Sequence, residues 1–315
     1  MTAVVDWREA DSADVVPLVT AEASAWLAQL HWDVADAWHV IEPARAAGHL
    51  PGAVAFDPTG RPIGWTAYLR HGASVQVMAL VAPTEDATDA LLDTVMASDE
   101  AVTAESAIVC VRDASPGLER ALAARGFAVE PYRYLRCDLR PSTASPDTFE
   151  PWPESADEVS RLFQAAYASE GAVRAFAPNG RLDEWMEYLA QLRKGPGCGW
   201  FLADLSLSSR DARTGHLDGA ILVTHLGPGT IHVAQLAVDP RARRRGLGRT
   251  LVRAALARAA GQYDRATLLV AAANHAACAL YDSFGFREVS RFLVATRRQP
   301  QGRWAHASPA DAETA

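Results

Sequence analysis

The residues with the most chemical content lie between positions 230 and 286. The run Arg243-Arg244-Arg245-Gly246-Leu247-Gly248 follows an apolar stretch, TIHVAQLAV (230–238), closed by Asp239-Pro240, and it precedes a helical pattern. Gly246 and Gly248 carry no Cβ, so the backbone there can approach a ligand closely. A helix starting at this point offers free N–H groups and the positive end of its dipole. Together these features make a pyrophosphate site, to which Arg243, Arg244 and Arg249 add charge-assisted contacts. The same run also reads as a solvated basic turn whose glycines only bend the chain. Further on stands a second spaced set, Asn274-x-x-Ala277-x-x-Leu280-Tyr281-x-x-x-Gly285-Phe286.

The two sets in this order resemble the GNAT N-acetyltransferase superfamily. There an RxxGxG loop holds the coenzyme A pyrophosphate, and an N…LY…GF segment follows the next strand. The likeness is strong over 218–297, weaker over 150–217, and faint but ordered over 1–140. It implies an acyltransferase that uses acetyl-CoA as cosubstrate and no metal. An acetyl group would pass to a primary amine of a small molecule by direct attack in a ternary complex. Position by position, it implies that the backbone of Leu236 faces the thioester carbonyl and that of Val238 the pantetheine amide, with Ala237 between them. The loop through Arg243, Arg244, Arg245, Gly246, Leu247, Gly248, Arg249 and Thr250 would wrap the pyrophosphate. Asn274 and Ala277 would lie along the coenzyme arm, and Tyr281 matches the family's general acid. A phenol with a reference pKa of about 10 is protonated at neutrality and can donate to a departing thiolate. Packed beside Leu280 and Phe284, the same Tyr281 also reads as a core aromatic. Relatives often carry a carboxylate on the strand before the loop, and this strand has none. His232 stands in its place, counted onto the same strand face as Leu236. With a reference pKa of about 6.5 it could accept a proton. It also reads as a half-buried strand histidine with a satisfied hydrogen bond. Two other activities stay open: an acyl-CoA-binding sensor or scaffold without turnover, and transfer of a different acyl group.

The elements that must position these groups follow from periodicity. Helical patterns cover 155–168 and 182–193, the second with Leu182, Trp185, Met186 and Leu189 on one face. Strands are predicted at 199–204, 218–226, 230–238, 266–271 and 288–297, with helices at 246–260 and 275–284. The polar segment 206–217 reads as a hairpin loop. This order is an α+β fold with helices on both faces of the sheet. Weak echoes join the two halves. Ser12-Ala13-Asp14 matches Ser155-Ala156-Asp157 as an N-cap signal, MALVAP (78–83) matches QLAVDP (235–240), and ALAARGF (121–127) matches LYDSFGF (280–286). The expected architecture is therefore two tandem GNAT-like domains, each a mixed, mostly antiparallel sheet flanked by helices. A degenerate domain at 1–140 and a catalytic one at 151–300 are separated by a proline-rich linker at 141–150 and followed by a tail at 301–315. In the first domain the loop positions become Asp86 to Leu91, both glycines are gone, and Leu122 replaces Tyr281.

Composition narrows the rest. With 315 residues, 49% hydrophobic and 22% charged, the chain is ordinary globular protein of about two domains. Its net charge of −8 argues against a nucleic-acid partner. Gly227-Pro228-Gly229 divides the one long uncharged stretch, so no membrane span is expected. Cys110, Cys137, Cys198 and Cys278 show no metal spacing and read as reduced thiols, and no apolar leader is visible, which together predict a cytoplasmic protein. For the acceptor, the segment 167–199 offers Tyr167, Glu170, Phe176, Trp185 and Glu187 as a cleft for a cationic amine, although helical spacing already explains Trp185 as core.

Overall fold

Each half of the chain runs through the same order: helices, an antiparallel meander, a helix, a parallel strand, a short helix and a last long strand. The computed structural model describes residues 2–140, 149–168, 176, 177, 179–194 and 198–298. The first half comprises β1 (Ala3–Asp6), α1 (Ser12–Leu30), α2 (Ala35–Ala46), β2 (Gly52–Phe56), β3 (Pro62–His71) and β4 (Ser74–Val81). It continues with α3 (Glu85–Ala97), α4 (Asp99–Val102), β5 (Ser106–Arg112), α5 (Leu118–Ala124) and β6 (Ala128–Asp138). The second half opens with β7 (Glu150–Pro151), α6 (Ala156–Tyr167), α7 (Leu182–Lys194), β8 (Trp200–Phe201), β9 (Leu207–Arg210) and β10 (Leu217–Gly227). It closes with β11 (Thr230–Val238), α8 (Leu247–Ala259), β12 (Arg265–Ala271), α9 (His275–Asp282) and β13 (Arg287–Arg298).

The fold is the expected α+β class, with sheets that are mixed, mostly antiparallel and flanked by helices. The two sheets are continuous, and among the described residues the strands run β1-β2-β3-β4-β5-β13-β6-β12-β11-β10-β9-β7, with β8 beside β10. The halves exchange their last strands. β13 lies between β5 and β6, with Cys110 opposite Val294, and β6 pairs with β12, with Leu135 opposite Leu268. Leu30, Trp32, Tyr134, Leu226 and Phe292 from both halves bury together at this seam. Two further cores serve the second half. Ile231, Val233, Leu251, Leu268, Tyr281 and Phe286 pack on the α8–α9 face, and Phe163, Trp185, Leu189, Leu222 and Ala237 on the α6–α7 face.

Local sequence explains most boundaries. Ser155 caps α6 by accepting from Glu158 N–H at 3.3 Å. At α1 the cap is Asp11, which accepts from Ala13 N–H at 2.9 Å, and not the expected Ser12. The Ser12 hydroxyl instead donates to Glu42 at 2.9 Å and accepts from the buried Arg45 at 2.6 Å, tying α1 to α2. The segment 206–217 is not all loop, since β9 forms within it and pairs with β10. The strand expected at 199–204 shortens to β8. Met186 points outward at 41% exposure, because Tyr188 takes the inward position on α7.

Candidate active site

β11 carries the feature that organises the site. It pairs antiparallel with β10, but Leu222 faces Gln235 while Val223 faces Val233, so Ala234 is an extra, bulged residue. On its other side β11 runs parallel to β12 only from Thr230 to Val233. β12 then continues along β6 to Ala271, and the two parallel strands splay apart. Asp239 N–H donates to Asp218 O of β10 at 2.8 Å. The alternation of an antiparallel ladder therefore turns the peptide groups of Leu236 and Val238 toward the open splay. Two side chains already use carbonyls on that edge. Tyr167 Oη donates to Leu236 O at 3.3 Å and Arg243 Nε to Val238 O at 3.3 Å.

The Arg-Gly loop joins this edge to α8. Gly246 occupies the N-cap position in the left-handed region (φ 81°) and supplies no side-chain cap, so the first-turn N–H groups of α8 remain available to an anion. Arg244 is also left-handed, at φ 62°. A Cβ on Gly248 would stand 3.6 Å from Val238 and 3.8 Å from Leu236, so Gly248 lies directly over the splayed edge. Not every expected cation is free to turn. Arg243 also hydrogen-bonds Ala166 O at the end of α6, and Arg249 donates to Ser283 Oγ at 2.9 Å and lies 5.6 Å from the Phe284 ring. Thr250 Oγ1 donates to Leu247 O at 2.9 Å.

Tyr281 sits on α9, 6% exposed, edge-on to Phe286 at 5.7 Å, and its hydroxyl has no hydrogen-bond partner among the described residues. Burial, with Cys278 adding to it, holds the phenol well above its ordinary pKa and therefore protonated. Asn274 caps α9, its Oδ1 accepting from Ala277 N–H at 3.0 Å. Ala277 packs partly buried against the α8–α9 core.

His232 departs from expectation in two ways. The bulge at Ala234 breaks the count of alternate residues. His232 faces Trp32 and Tyr134 at 5.6 and 6.2 Å, whereas Leu236 packs on the α8–α9 side. Burial also lowers its pKa from 6.5 to about 3, so the ring is neutral at physiological pH. Its tautomer follows from its neighbour. Thr267 Oγ1 donates to Ile231 O at 3.1 Å and so accepts from His232 Nδ1–H at 3.0 Å, which leaves Nε2 as the acceptor.

Residues missed in the sequence complete the α6–α7 side. Gln235 Oε1 accepts from Tyr167 Oη at 2.6 Å, and Gln235 Nε2 donates to Tyr188 Oη at 2.8 Å. Phe176 packs on Tyr188 with ring centroids 4.5 Å apart, and Trp185 stacks on Tyr167 at 5.3 Å while remaining core, at 3% exposure. The signals were present in the sequence. Gln235 interrupts an apolar strand, and Tyr188 follows Trp185 by one helical step. Glu187 is not in the cleft; it is exposed and meets His71 of the first half at 3.3 Å. Glu170 lies outside the described residues. Among the described residues no cluster of His, Cys, Asp and Glu could hold a metal ion, and no helix is long and apolar enough to cross a membrane.

Comparison with known proteins agrees with this geometry. The model of the acetyltransferase (GNAT) family matches residues 145–286. Mycothiol acetyltransferase of Beutenbergia cavernae is 30% identical over 259 residues, which cover 79% of this chain and 83% of that protein. The chain belongs to the GNAT acetyltransferase family. Among solved structures, a GCN5-related N-acetyltransferase from Sphaerobacter thermophilus superposes with a TM-score of 0.63 at 18% identity, over 94% of this chain and 95% of its own. A GNAT acetyltransferase from Colwellia psychrerythraea does so with a TM-score of 0.50 at 12% identity, over 95% of this chain and 100% of its own. At these identities both speak for the fold.

GNAT enzymes use acetyl-CoA as cosubstrate. The uncapped turn at Gly246 and the open edge at Leu236 and Val238 suit an anionic head and an amide-bearing arm. The first half repeats the splay without these features. β4 and β5 run parallel only from Ser74 to Val77, but Ser115 fills the gap, accepting from Ala82 N–H at 3.0 Å and donating to Leu80 O at 3.4 Å. α3 is capped by Thr84 and begins with Glu85 and Asp86. Leu122 is fully buried where the second half has Tyr281.

Proposed function

We propose that the second half transfers an acetyl group from acetyl-CoA to a primary amine of a small molecule, by direct attack within a ternary complex. The splay carries this reading: the peptide N–H groups of Leu236 and Val238 turn to an open edge beside the uncapped start of α8, with a protonated phenol on α9. The arm of acetyl-CoA extends β11 as an added strand, with Val238 meeting its amide. Leu236 N–H receives the thioester oxygen as negative charge develops on it. The amine nitrogen bonds to the carbonyl carbon, the C–S bond breaks, and Tyr281 gives its proton to the departing thiolate. The proton leaving nitrogen returns to the phenolate, so a neutral amine and a thioester yield an amide and a thiol. His232 Nε2 is available to hold the acceptor by a hydrogen bond, and its lowered pKa makes it unsuited to keep a proton. The test is thiol release together with a mass gain of one acetyl group across a metabolite panel. No release with any amine, under conditions where acetyl-CoA binds, would overturn the reading in favour of an acyl-CoA sensor.

A further inference from the structure

This inference rests on the acetyl-transfer reading, which lays the arm of acetyl-CoA along the open edge of β11. It concerns Arg243, which the family resemblance sets among the cations around the pyrophosphate. The guanidinium is committed elsewhere. Nε donates to Val238 O at 3.3 Å, on that open edge, and Nη2 donates to Ala166 O in the last turn of α6. Nε–H and the neighbouring Nη2–H run parallel along one side of the guanidinium plane, so a single fork holds two carbonyls from different elements. Two carbonyl oxygens aimed at one place repel each other, and the cation between them offsets that repulsion.

Ala166 O has its own need of a donor. It is among the last four carbonyls of α6, which a helix leaves without an N–H of its own, and Ala166 is buried. The last turn of α6 contains no basic residue, so Arg243 is the cation that meets the negative end of this helix. The next residue, Tyr167, ties the same turn to the same strand, its hydroxyl lying 2.6 Å from Gln235 Oε1 and 3.3 Å from Leu236 O. The two ties thus reach the carbonyls of Leu236 and Val238, the peptides that turn to the splay. Arg244 and Arg245, next in the chain, are exposed beside the uncapped start of α8. They and the first N–H groups of α8 can serve a pyrophosphate without Arg243.

We infer that Arg243 is a positioning residue for the arm of acetyl-CoA and not a pyrophosphate contact. It fixes the end of α6 against the edge of β11 and so sets the place of the strip on which the arm lies. Lysine is no substitute, because an ammonium carries the charge without a rigid fork that spans two carbonyls.

The probes are coenzyme A and 3′-phospho-ADP, the same head with its pyrophosphate but no arm. Both are titrated by calorimetry at ~0.15 M salt, where charges beyond about 8 Å are screened. Arg243→Lys and Arg243→Ala should each weaken coenzyme A about tenfold and leave 3′-phospho-ADP within about twofold, which also shows that the variants are folded. Tyr167→Phe should do the same to a lesser degree. Combined with Arg243→Lys, its loss should not add in full, since either change frees the same turn. Loss of 3′-phospho-ADP in step with coenzyme A, in either Arg243 variant, would overturn the inference. So would coenzyme A binding that is unchanged in Arg243→Lys, or tighter, the second meaning that Arg243 competes with the arm. These are all binding measurements. The expected pattern without thiol release from acetyl-CoA with any amine would therefore overturn the acetyl-transfer reading and keep the inference.

Discussion

At Tyr281 packing and chemistry draw on one side chain. The ring belongs to the α8–α9 core, while the hydroxyl has no hydrogen-bond partner among the described residues. Tyr281→Phe should therefore leave stability nearly unchanged and lower kcat by about 10²–10⁴ with acetyl-CoA affinity preserved, measured by thermal unfolding, titration and steady-state rates. His232 should show its burial as a pH effect. Its folded pKa lies below its unfolded value, so its contribution to stability is complete above about pH 6.5 and is lost as pH falls toward the folded value. At pH ~5 the deficit is about 2 kcal/mol. Urea unfolding of His232→Gln should lack that portion of the acid slope. Gly248 separates two roles. An added methyl makes ordinary contacts with Val238 and Leu236, and Ala is the better helix former, so Gly248→Ala should unfold no earlier yet raise KM for acetyl-CoA. A lower melting temperature with unchanged KM would place Gly248 in the fold alone. At this scale the sequence singled out the glycines of the loop, Asn274 and Tyr281 by residue type and spacing; the structure puts Asn274 at the cap of α9, and the roles of all three toward the coenzyme belong to the proposal. Gln235 and Tyr188 were harder to read, since an amide and a phenol gain meaning only from the partner each finds across the fold.

Two helices that follow equivalent strands show what an N-terminus can be made to do. α8 begins at Gly246 with its first N–H groups unspent, whereas α3 gives that of Ala87 to Thr84 and adds Glu85 and Asp86. Anions should accordingly collect at one and avoid the other. Calorimetry should find one acetyl-CoA per chain, and Gly246→Glu should abolish binding. Two tight sites would mean that Ser115 yields its place in the β4–β5 gap. Caps and periodicity made these helices readable, and β11 was bounded correctly from its turn residues. The bulge at Ala234 was not readable. No glycine marks it, and it shows only in the register of β11 against β10. That one unseen residue was enough to reverse the face assigned to His232 relative to Leu236.

Across the whole molecule the decisive fact is long-range. The echoes between halves were visible as sequence, but nothing local distinguishes a last strand that returns to its own sheet from one that crosses to the other. Both choices bury the same alternating residues. With β13 lying between β5 and β6, residues 1–140 alone should not fold cooperatively by circular dichroism, and mixing them with 141–315 should restore structure and activity. Independent two-state unfolding of the first fragment would contradict this. The exchange also bears on how the chain is made. Synthesis ordinarily lets an N-terminal domain finish while the rest is still being translated. Here the sheet of the first half keeps a strand-wide gap until the segment ending at Arg298 has left the ribosome. Throughout elongation β5 and β6 present unpaired edges to their surroundings, the kind of surface that invites holding by chaperones or pairing with a neighbouring nascent chain. The two halves thus complete their sheets together, once β13 is in place between β5 and β6.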